Sequence, residues 1–410
     1  MINSKALMAE ASWENPRLKG RISELDGVRG LAILLVLFWH YAYATIPIPK
    51  RAWKAYLLLP LSITWSGVDL FFVLSGFLIG GILYEAKDSA SYFKTFYGRR
   101  IFRIFPVYFA WLLLFLAGLF VVEHHSSSQL TTLFNRVLPV WSYPLFIQNV
   151  FMSSRQTFGA QWMGITWSLA VEEQFYLLLP FLIRRLSYRG ITQLAVAAIL
   201  LAPIVRLILR ASGNSYFGPY TLLPCRADAL GFGLLIAMAC RNKNVWAWLE
   251  SHRSQLYAVF LALACGVVAL ILRPQYFYTV GLSWMPAFYA SILLLTLVNP
   301  GRIEILLFRS QLLTKLGTLA YAVYMFHQGV NILFHLAVFG QPPKIVSVSS
   351  LAVTFASLAS VLLLAAISWR FMEKPLIRYA HFTFQYTPLS SPTHGRDSLS
   401  TAPHPTSSAP

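Results

Sequence analysis

The chain has 410 residues, of which 57% are hydrophobic and 12% charged, and its mean hydropathy is +0.59. This composition excludes an ordinary soluble domain and indicates an integral membrane protein. The formal net charge of +18 does not point to a nucleic-acid partner, because the Lys and Arg residues are scattered between apolar segments instead of clustering on one polar face. The three cysteines show neither a disulfide pattern nor zinc-ligand spacing, and we expect no metal site.

Ten apolar segments are long enough to cross a membrane as helices, for which about 17 to 25 residues are needed. We therefore predict an all-α integral membrane protein with ten transmembrane helices. The sixth segment is the shortest. The predicted spans cover about 28–46, 65–84, 101–122, 168–186, 191–210, 226–240, 256–273, 281–299, 316–339 and 349–371.

The distribution of positive charge predicts the orientation. With the N-terminus inside, 22 Lys and Arg residues fall in inner segments and 10 in outer segments, Arg29 being left aside. Both termini are therefore expected in the cytoplasm. The first residues lack the order of a cleavable signal, so the first span is expected to remain as an anchor.

Three regions are predicted along the chain: a cytoplasmic segment 1–24, a membrane domain 25–380 and a cytoplasmic tail 381–410. The tail is rich in Pro, Ser and Thr and is expected to be disordered. In the longest loop, about 123–167, the stretch "LPVWSYPLFIQNVF" is typical of a re-entrant or interfacial segment.

The first span, "GVRGLAILLVLFWHYAYA", contains Arg29 and His40. Eleven residues of α-helix correspond to about 1,100° of rotation and about 16 Å of rise, so the two side chains share one face. An ionisable group inside a span usually faces a cavity, pairs with another group or takes part in function. Either Arg29 reaches the interface and His40 bonds a neighbouring carbonyl, or both belong to a site.

The second span places Asp69 near its outer end, followed by Ser75, Gly76, Gly80 and Gly81. Small residues at this spacing allow helices to approach closely. Asp69 is either an interfacial acid or a group that orients a histidine or a bound hydroxyl.

The third span begins with "YGRRIFRIFPVYF", in which Arg100 and Arg103 stand three residues apart and Arg99 precedes them. These arginines are either plain topology signals or, with Arg29 on the same membrane face, a phosphate clamp. Arginine suits the second interpretation because its guanidinium matches phosphate oxygens in a bidentate geometry.

Two adjacent acids, Glu172 and Glu173, lie in the fourth span. Neighbouring helix positions differ by about 100°, so the two carboxylates point in different directions, and Glu172 shares its face with Tyr176. We expect one of the acids to face a polar cavity, the alternative being an ion pair with an arginine.

Further ionisable residues lie in later spans. Arg226 and Asp228 stand at the outer end of the sixth span, and His327 and His335 lie in the ninth. For both histidines, a hydrogen-bonded core position is at least as consistent with the sequence as a chemical role.

Seven stretches in order, between residues 23 and 377, resemble acyltransferase family three, the multi-span enzymes that O-acylate carbohydrates and some natural products. One departure is Ala320, where a serine is common before the tyrosine, and the soluble esterase-like domain that many relatives carry is not expected here. The matching stretches are "ELDGVRGLAILLVLFWH", "GVDLFFVLSGFLI", "YGRRIFRIFPVYF", "TWSLAVEEQFYLLLP", "RADALGFG", "LGTLAYAVYMFH" and "RFMEKPL".

The resemblance implies that an acyl group, usually acetyl, passes from cytoplasmic acyl-coenzyme A to a hydroxyl at or across the membrane. Acyl-coenzyme A is then a co-substrate and not a bound cofactor. Arg29, Arg100 and Arg103 would bind the donor phosphates. His40 would act as base or acyl carrier, with Glu172 or Asp69 fixing its tautomer. The possible acceptor or supporting residues are Glu173, Tyr176, Arg226, Asp228 and His327.

The expected partners are acyl-coenzyme A, a carbohydrate acceptor and the lipid bilayer, with no nucleic acid; the oligomeric state does not follow from the sequence. We expect a bacterial plasma membrane and a glycan such as exopolysaccharide or lipopolysaccharide. The alternatives are succinyl transfer, a small-molecule acceptor or, in a different class, a sugar or lipid-linked glycan transporter. A transporter explains buried charges but not a basic cluster aligned below one histidine.

Overall fold

The computed structural model describes residues 15–18, 20, 22–47, 58–125, 128–214 and 216–387, and these residues form helices and connecting turns without a β-strand. The first half of the chain contains α1 (Ser23–Phe38), α2 (Gly67–Glu85), α3 (Tyr92–His125), α4 (Gln148–Arg155), α5 (Trp167–Arg185), α6 (Tyr188–Ala211) and α7 (Phe217–Thr221). The second half contains α8 (Leu223–Ala239), α9 (Lys243–Ser251), α10 (Arg253–Leu272), α11 (Leu282–Leu297), α12 (Arg302–Phe308), α13 (Gln311–Phe339), α14 (Val348–Ser368) and α15 (Lys374–Thr383).

Nine helical segments within the described ranges are long and apolar enough to cross a membrane. They coincide with nine of the ten predicted spans and confirm an all-α multi-pass membrane protein. The tenth, predicted at 168–186, is also a helix, α5, but it differs from the nine because Glu172, Glu173, Arg184 and Arg185 lie within its 19 residues. Large apolar side chains on the outer helices are exposed, as lipid-facing residues are expected to be: Leu200, Leu261 and Leu363 each retain at least 60% of their surface.

Glycines bring the central helices together. α1 packs along α13, and α2 packs along α8. A Cβ atom at Gly30 would overlap the carbonyl of Leu313, and one at Gly76 would overlap the carbonyl of Leu230. The small residues of the second span therefore do allow close helix packing, as their spacing predicts.

Two helices change their winding at positions that matter for the site. α1 continues beyond Phe38 as a π-helical turn, Trp39–Tyr43, and α14 continues as a second one, Trp369–Glu373. Such turns are rare and often occur at functional positions. The first contains His40, so the regular α-helical geometry assumed from sequence ends two residues before it.

The boundaries differ from prediction at three places. α3 begins at Tyr92, nine residues before the predicted span, so its arginines lie inside the helix. The loop stretch "LPVWSYPLFIQNVF" contains a short turn and the start of α4, where Gln148 and Asn149 are buried. The tail predicted from residue 381 begins inside α15, and residues up to 387 are ordered against α3; the rest of that tail and residues 1–14 of the N-terminal segment lie outside the described residues.

Candidate active site

A cavity of about 330 Å³ lies between the first part of α1, α2, α3, α5 and α13, with Trp369, Glu373 and His381 along one side. The three arginines singled out in the sequence, Arg29, Arg100 and Arg103, all line it. Much of the remaining wall is apolar, and α2 contributes a large share of it, including Phe71, Phe72 and Leu78. The structure therefore brings the predicted basic cluster together from two helices.

Two of these arginines form no ion pair with any acid in the part of the chain that the structure describes. The Nη1 atom of Arg29 lies 2.9 Å from Oδ1 of Asp26, one turn earlier on the same helix. Among the described residues, no carboxylate lies within ion-pair distance of Arg100 or Arg103; the guanidinium of Arg100 stands 5.4 Å from the centre of the Tyr176 ring. Glu172 and Glu373 line the same cavity, but neither is within ion-pair distance of these two arginines. Because guanidinium groups that are free of an ion pair bind anions well, the cavity is suited to a phosphate or carboxylate.

Glu172 and Tyr176 line the same cavity, as their shared helix face predicts. Ser75 of α2 joins them: its hydroxyl donates to Oε1 of Glu172 at 2.7 Å and accepts from the Tyr176 hydroxyl at 3.0 Å. Glu173 does not line the cavity, and its Oε1 is buried with no hydrogen-bond partner among the described residues. The two adjacent acids thus diverge, and Glu172 is the one that faces the cavity.

His40 does not line this cavity but pairs with a second histidine. Its Nδ1 atom lies 3.0 Å from the carbonyl oxygen of Val36 and 3.2 Å from Nε2 of His327. Nδ1 of His327 lies 2.6 Å from the carbonyl of Tyr324, a residue of the cavity wall. His327 is fully buried, whereas His40 is half-buried. The histidine pair therefore lies next to the cavity, and one turn of α13, from Tyr324 to His327, separates the pair from the cavity wall.

The hydrogen bonds of this pair fix the proton positions in the neutral rings. A carbonyl oxygen can only accept, so Nδ1 of His327 carries its proton and Nε2 presents a lone pair. Nδ1 of His40 then faces two acceptors, the Val36 carbonyl and Nε2 of His327, and must be the protonated nitrogen of its ring. The remaining nitrogen, Nε2 of His40, keeps a lone pair and has no hydrogen-bond partner among the described residues, which is the state a general base requires.

The acids proposed to orient His40 do not do so. Asp69 forms an ion pair with Arg226, and both side chains are completely buried. Glu172 is bonded to Ser75, as described above. The interpretation of Asp69 as the group behind the histidine is therefore corrected: two buried charges in an apolar bundle neutralise each other, and the tautomer of His40 is set by Val36 and His327.

Asp228 lies two residues after Arg226 in the chain but belongs to a different buried polar cluster. Oδ2 of Asp228 lies 2.8 Å from Nη2 of Arg206 and accepts from the Ser283 hydroxyl at 2.7 Å. His335 also has an internal partner, since its Nε2 lies 2.9 Å from the Thr354 hydroxyl. The two partners of the Asp228 carboxylate are typical of a structural residue. The other ring nitrogen of His335, Nδ1, is buried with no hydrogen-bond partner among the described residues.

Sequence reasoning missed several residues of the cavity. The sequence pattern indicates only a packing role for Ser75, and it assigns no role to Ser168 and Tyr324, whose hydroxyl oxygens lie 2.6 Å apart. Glu373 and His381 reach the cavity from the C-terminal segment. The motifs "YAVYMFH" and "RFMEKPL" contain Tyr324 and Glu373 and were the available signal; for His381 there was none. Within the described residues, no group of three or more His, Cys, Asp or Glu side chains forms a metal site.

Comparison with known proteins agrees with this architecture. Residues 22–370, which include every residue of the cavity except Glu373 and His381, match the model of a family described as an acyltransferase domain. No solved structure matches the chain.

Three relatives illustrate the similarity. The ORF330 protein of Acidianus two-tailed virus, provisionally named an acetyltransferase, is 30% identical, covering 75% of this chain and 82% of the viral protein. YrhL of Bacillus subtilis, provisionally named a peptidoglycan O-acetyltransferase, is 28% identical over 87% of this chain and 55% of its own length. O-acetyltransferase OatA of Staphylococcus aureus is 24% identical over 89% of this chain and 58% of its own length. The chain thus spans little more than half of the two bacterial relatives.

Proposed function

The chain belongs to the acyltransferase-domain family and is a multi-pass membrane enzyme of that family, and from this premise we propose that it transfers an acyl group, acetyl in the first instance, from acyl-coenzyme A to a hydroxyl of a carbohydrate. The names of the Bacillus and Staphylococcus relatives support O-acetyl transfer, and one of those names specifies peptidoglycan. The acceptor proposed for this chain is a bacterial surface glycan.

The observation that carries the proposal is the cavity with three arginines. Coenzyme A carries several phosphate charges at one end and an acyl thioester at the end of a long, largely uncharged arm. Arg29, Arg100 and Arg103 supply cations for the phosphates. A volume of about 330 Å³ lies at the lower end of the range for small-molecule sites, so the arm enters the cavity and the nucleotide stays at the rim.

The chemistry proposed for His40 follows from its proton positions. Nε2 of His40 takes the proton of the acceptor hydroxyl, and the oxygen attacks the thioester carbonyl. The carbon–sulfur bond then breaks, the ester remains on the acceptor, and the coenzyme A thiolate takes up the proton from His40. Glu172 is the competing base, since it lines the cavity whereas His40 is one turn removed from it.

The direct test uses the purified full chain in lipid vesicles with acetyl-coenzyme A and a glycan acceptor. We expect ester formation, detected by mass spectrometry, and free coenzyme A in equal amount. His40→Gln is the matched control, because glutamine still bonds a neighbouring carbonyl but is not a base. A protein that leaves acetyl-coenzyme A unchanged while moving glycan across the vesicle membrane would be a transporter.

The same assay separates the alternatives within the enzyme class. Succinyl-coenzyme A competes as donor if succinyl transfer is the true reaction, and small natural products replace the glycan if the acceptor is a small molecule. In cells, the ester content of surface glycans with and without the protein identifies the acceptor; unchanged ester content would direct the search to small molecules.

The orientation proposed for the chain places both termini and the three arginines at the cytoplasmic side of a bacterial plasma membrane, because most Lys and Arg residues fall on that side. Reporter fusions after residue 90 and after residue 130 flank α3 and should report inside and outside, respectively. If both report the same side, a cytoplasmic donor cannot reach the cavity in the proposed way.

A further inference from the structure

The described part of the chain ends in a short segment, residues 384–387, that runs back along the start of α3. We call these four residues the C-terminal strap. They lie beyond residue 370, where the match to the family model ends. They follow α15, which contributes His381 to the wall of the cavity.

Hydrogen bonds to the backbone of the strap hold it in place. The Ala90 amide donates to the carbonyl of Thr387 at 3.0 Å. The Ser91 hydroxyl donates to the carbonyl of Gln385 at 2.7 Å and accepts from the Thr387 amide at 3.0 Å. The Thr95 hydroxyl donates to the same Gln385 carbonyl at 2.9 Å. The strap is therefore attached at several points to the turn that precedes α3 and to its first turn.

Arg99 contacts the strap and does not line the cavity. Its Nε atom donates to the carbonyl of Phe384 at 2.8 Å, and its guanidinium lies 5.2 Å from the centre of the Tyr386 ring. Arg100 and Arg103 line the cavity instead. Adjacent helix positions differ by about 100°, so the arginines point in different directions. Arg99 is fixed by the strap, whereas Arg100 and Arg103 face the cavity.

The ring of Phe384 covers the turn of α3 that carries these arginines. It lies against Gly98, where a Cβ atom would stand 2.6 Å from the ring. Its centre is 6.0 Å from that of the Phe102 ring. Rotation of this part of α3 would therefore require the strap to move, since Gly98, Arg99 and Phe102 are all held by it.

We propose that the C-terminal strap is a positioning element of the donor site. It fixes the rotation of α3 so that Arg100 and Arg103 face the cavity, and Arg99 is the positioning residue through which it acts. This inference rests on the proposed function and adds to it: the affinity for a phosphate-bearing acyl donor depends on four residues outside the region that matches the family. The strap takes no part in the transfer itself, so its loss affects donor binding and leaves the chemical step in place.

Two truncations of the full chain test this directly. Deleting 388–410 keeps the strap and is the matched control, for which we expect donor KM within twofold of the wild type. Deleting 384–410 removes the strap. We expect donor KM for acetyl-coenzyme A to rise about tenfold, because misaligning the two arginines should cost about as much as losing one charge-assisted contact. We expect kcat to change less than threefold. An unchanged KM in the longer deletion would overturn the inference.

A double-mutant cycle separates positioning from general damage to the fold. In the background of Arg100→Ala with Arg103→Ala, removing the strap should cause no further rise in KM, because the residues that it positions are gone. Effects that multiply would mean that the strap acts elsewhere and would overturn the inference. Arg99→Ala should raise KM, and Arg99→Lys, which retains a donor for the Phe384 carbonyl, should restore most of the affinity.

The outcomes distinguish this inference from the function on which it rests. If the wild-type chain neither binds nor turns over acetyl-coenzyme A, the proposed function fails and the strap has no donor to position. If the wild type uses acetyl-coenzyme A and the strap deletion keeps its KM, only the role of the strap is refuted.

Discussion

Replacing His327 tests the assignment of the protons in the histidine pair. His327→Ala removes the ring that faces His40, and His327→Gln restores a polar side chain in this fully buried position. In both variants, Nδ1 of His40 keeps its other acceptor, the carbonyl of Val36 at 3.0 Å. The tautomer that leaves Nε2 free is therefore still favoured, although by one hydrogen bond instead of two.

The expected loss of rate on replacing His327 follows from the single hydrogen bond that is lost. One neutral hydrogen bond is worth about 0.5 to 1.5 kcal/mol, which corresponds to about a two- to twelvefold loss of rate. Removing a general base costs about 10² to 10⁴ in rate. We therefore expect His40→Ala to be nearly inactive, His327→Ala to lose at most about tenfold in kcat, and His327→Gln to lie between His327→Ala and the wild type.

The assay is acetyl transfer from acetyl-coenzyme A to glycan, followed by mass spectrometry, with kcat and donor KM determined separately. Donor KM should stay constant in all three variants, because Arg29, Arg100 and Arg103 are untouched. A folded His327→Ala protein as inactive as His40→Ala would refute the reasoning, since His327 would then be more than a positioning residue. An active His40→Gln enzyme would place the chemistry elsewhere, first on Glu172.

Two further predictions concern charged residues of the helix bundle. Replacing Arg100 and Arg103 by Ala should weaken acetyl-coenzyme A binding by about ten- to a hundredfold for each lost contact of about 1.5 to 3 kcal/mol; unchanged affinity in equilibrium binding would leave them as topology signals only. Asp69→Asn strands Arg226 without its counter-charge in the bundle and should lower the free energy of unfolding by about 3 to 5 kcal/mol, measured by denaturation in detergent. The matched control is Glu85→Gln, whose carboxylate is 60% exposed in its ion pair and should matter by less than about 1 kcal/mol; equal losses in the two variants would contradict the burial argument.

The sequence was sufficient for the helices and for part of the cavity. Apolar length is a local property of the chain, because each span must satisfy the membrane by itself, and the predicted spans therefore coincide with helices. Helix periodicity also placed Glu172 and Tyr176 on one face, and both line the cavity. Arg100 and Arg103 stand out in the sequence as candidate binding residues because charged residues are rare in such apolar segments.

Tertiary structure alone decided which groups meet. His40 and His327 are 287 positions apart, and neither the depth nor the rotation of two packed helices follows from their separate sequences. Asp69 forms its ion pair with Arg226 of α8 and does not contact His40. Glycines bring α2 against α8, and removing either partner of a fully buried ion pair would leave the other charge uncompensated. The strap shows the same limit. The backbone groups of residues 384–387 that accept and donate hydrogen bonds occur in any sequence, and the side chains that meet them lie almost 300 positions earlier in the chain, so only the folded bundle brings the two together.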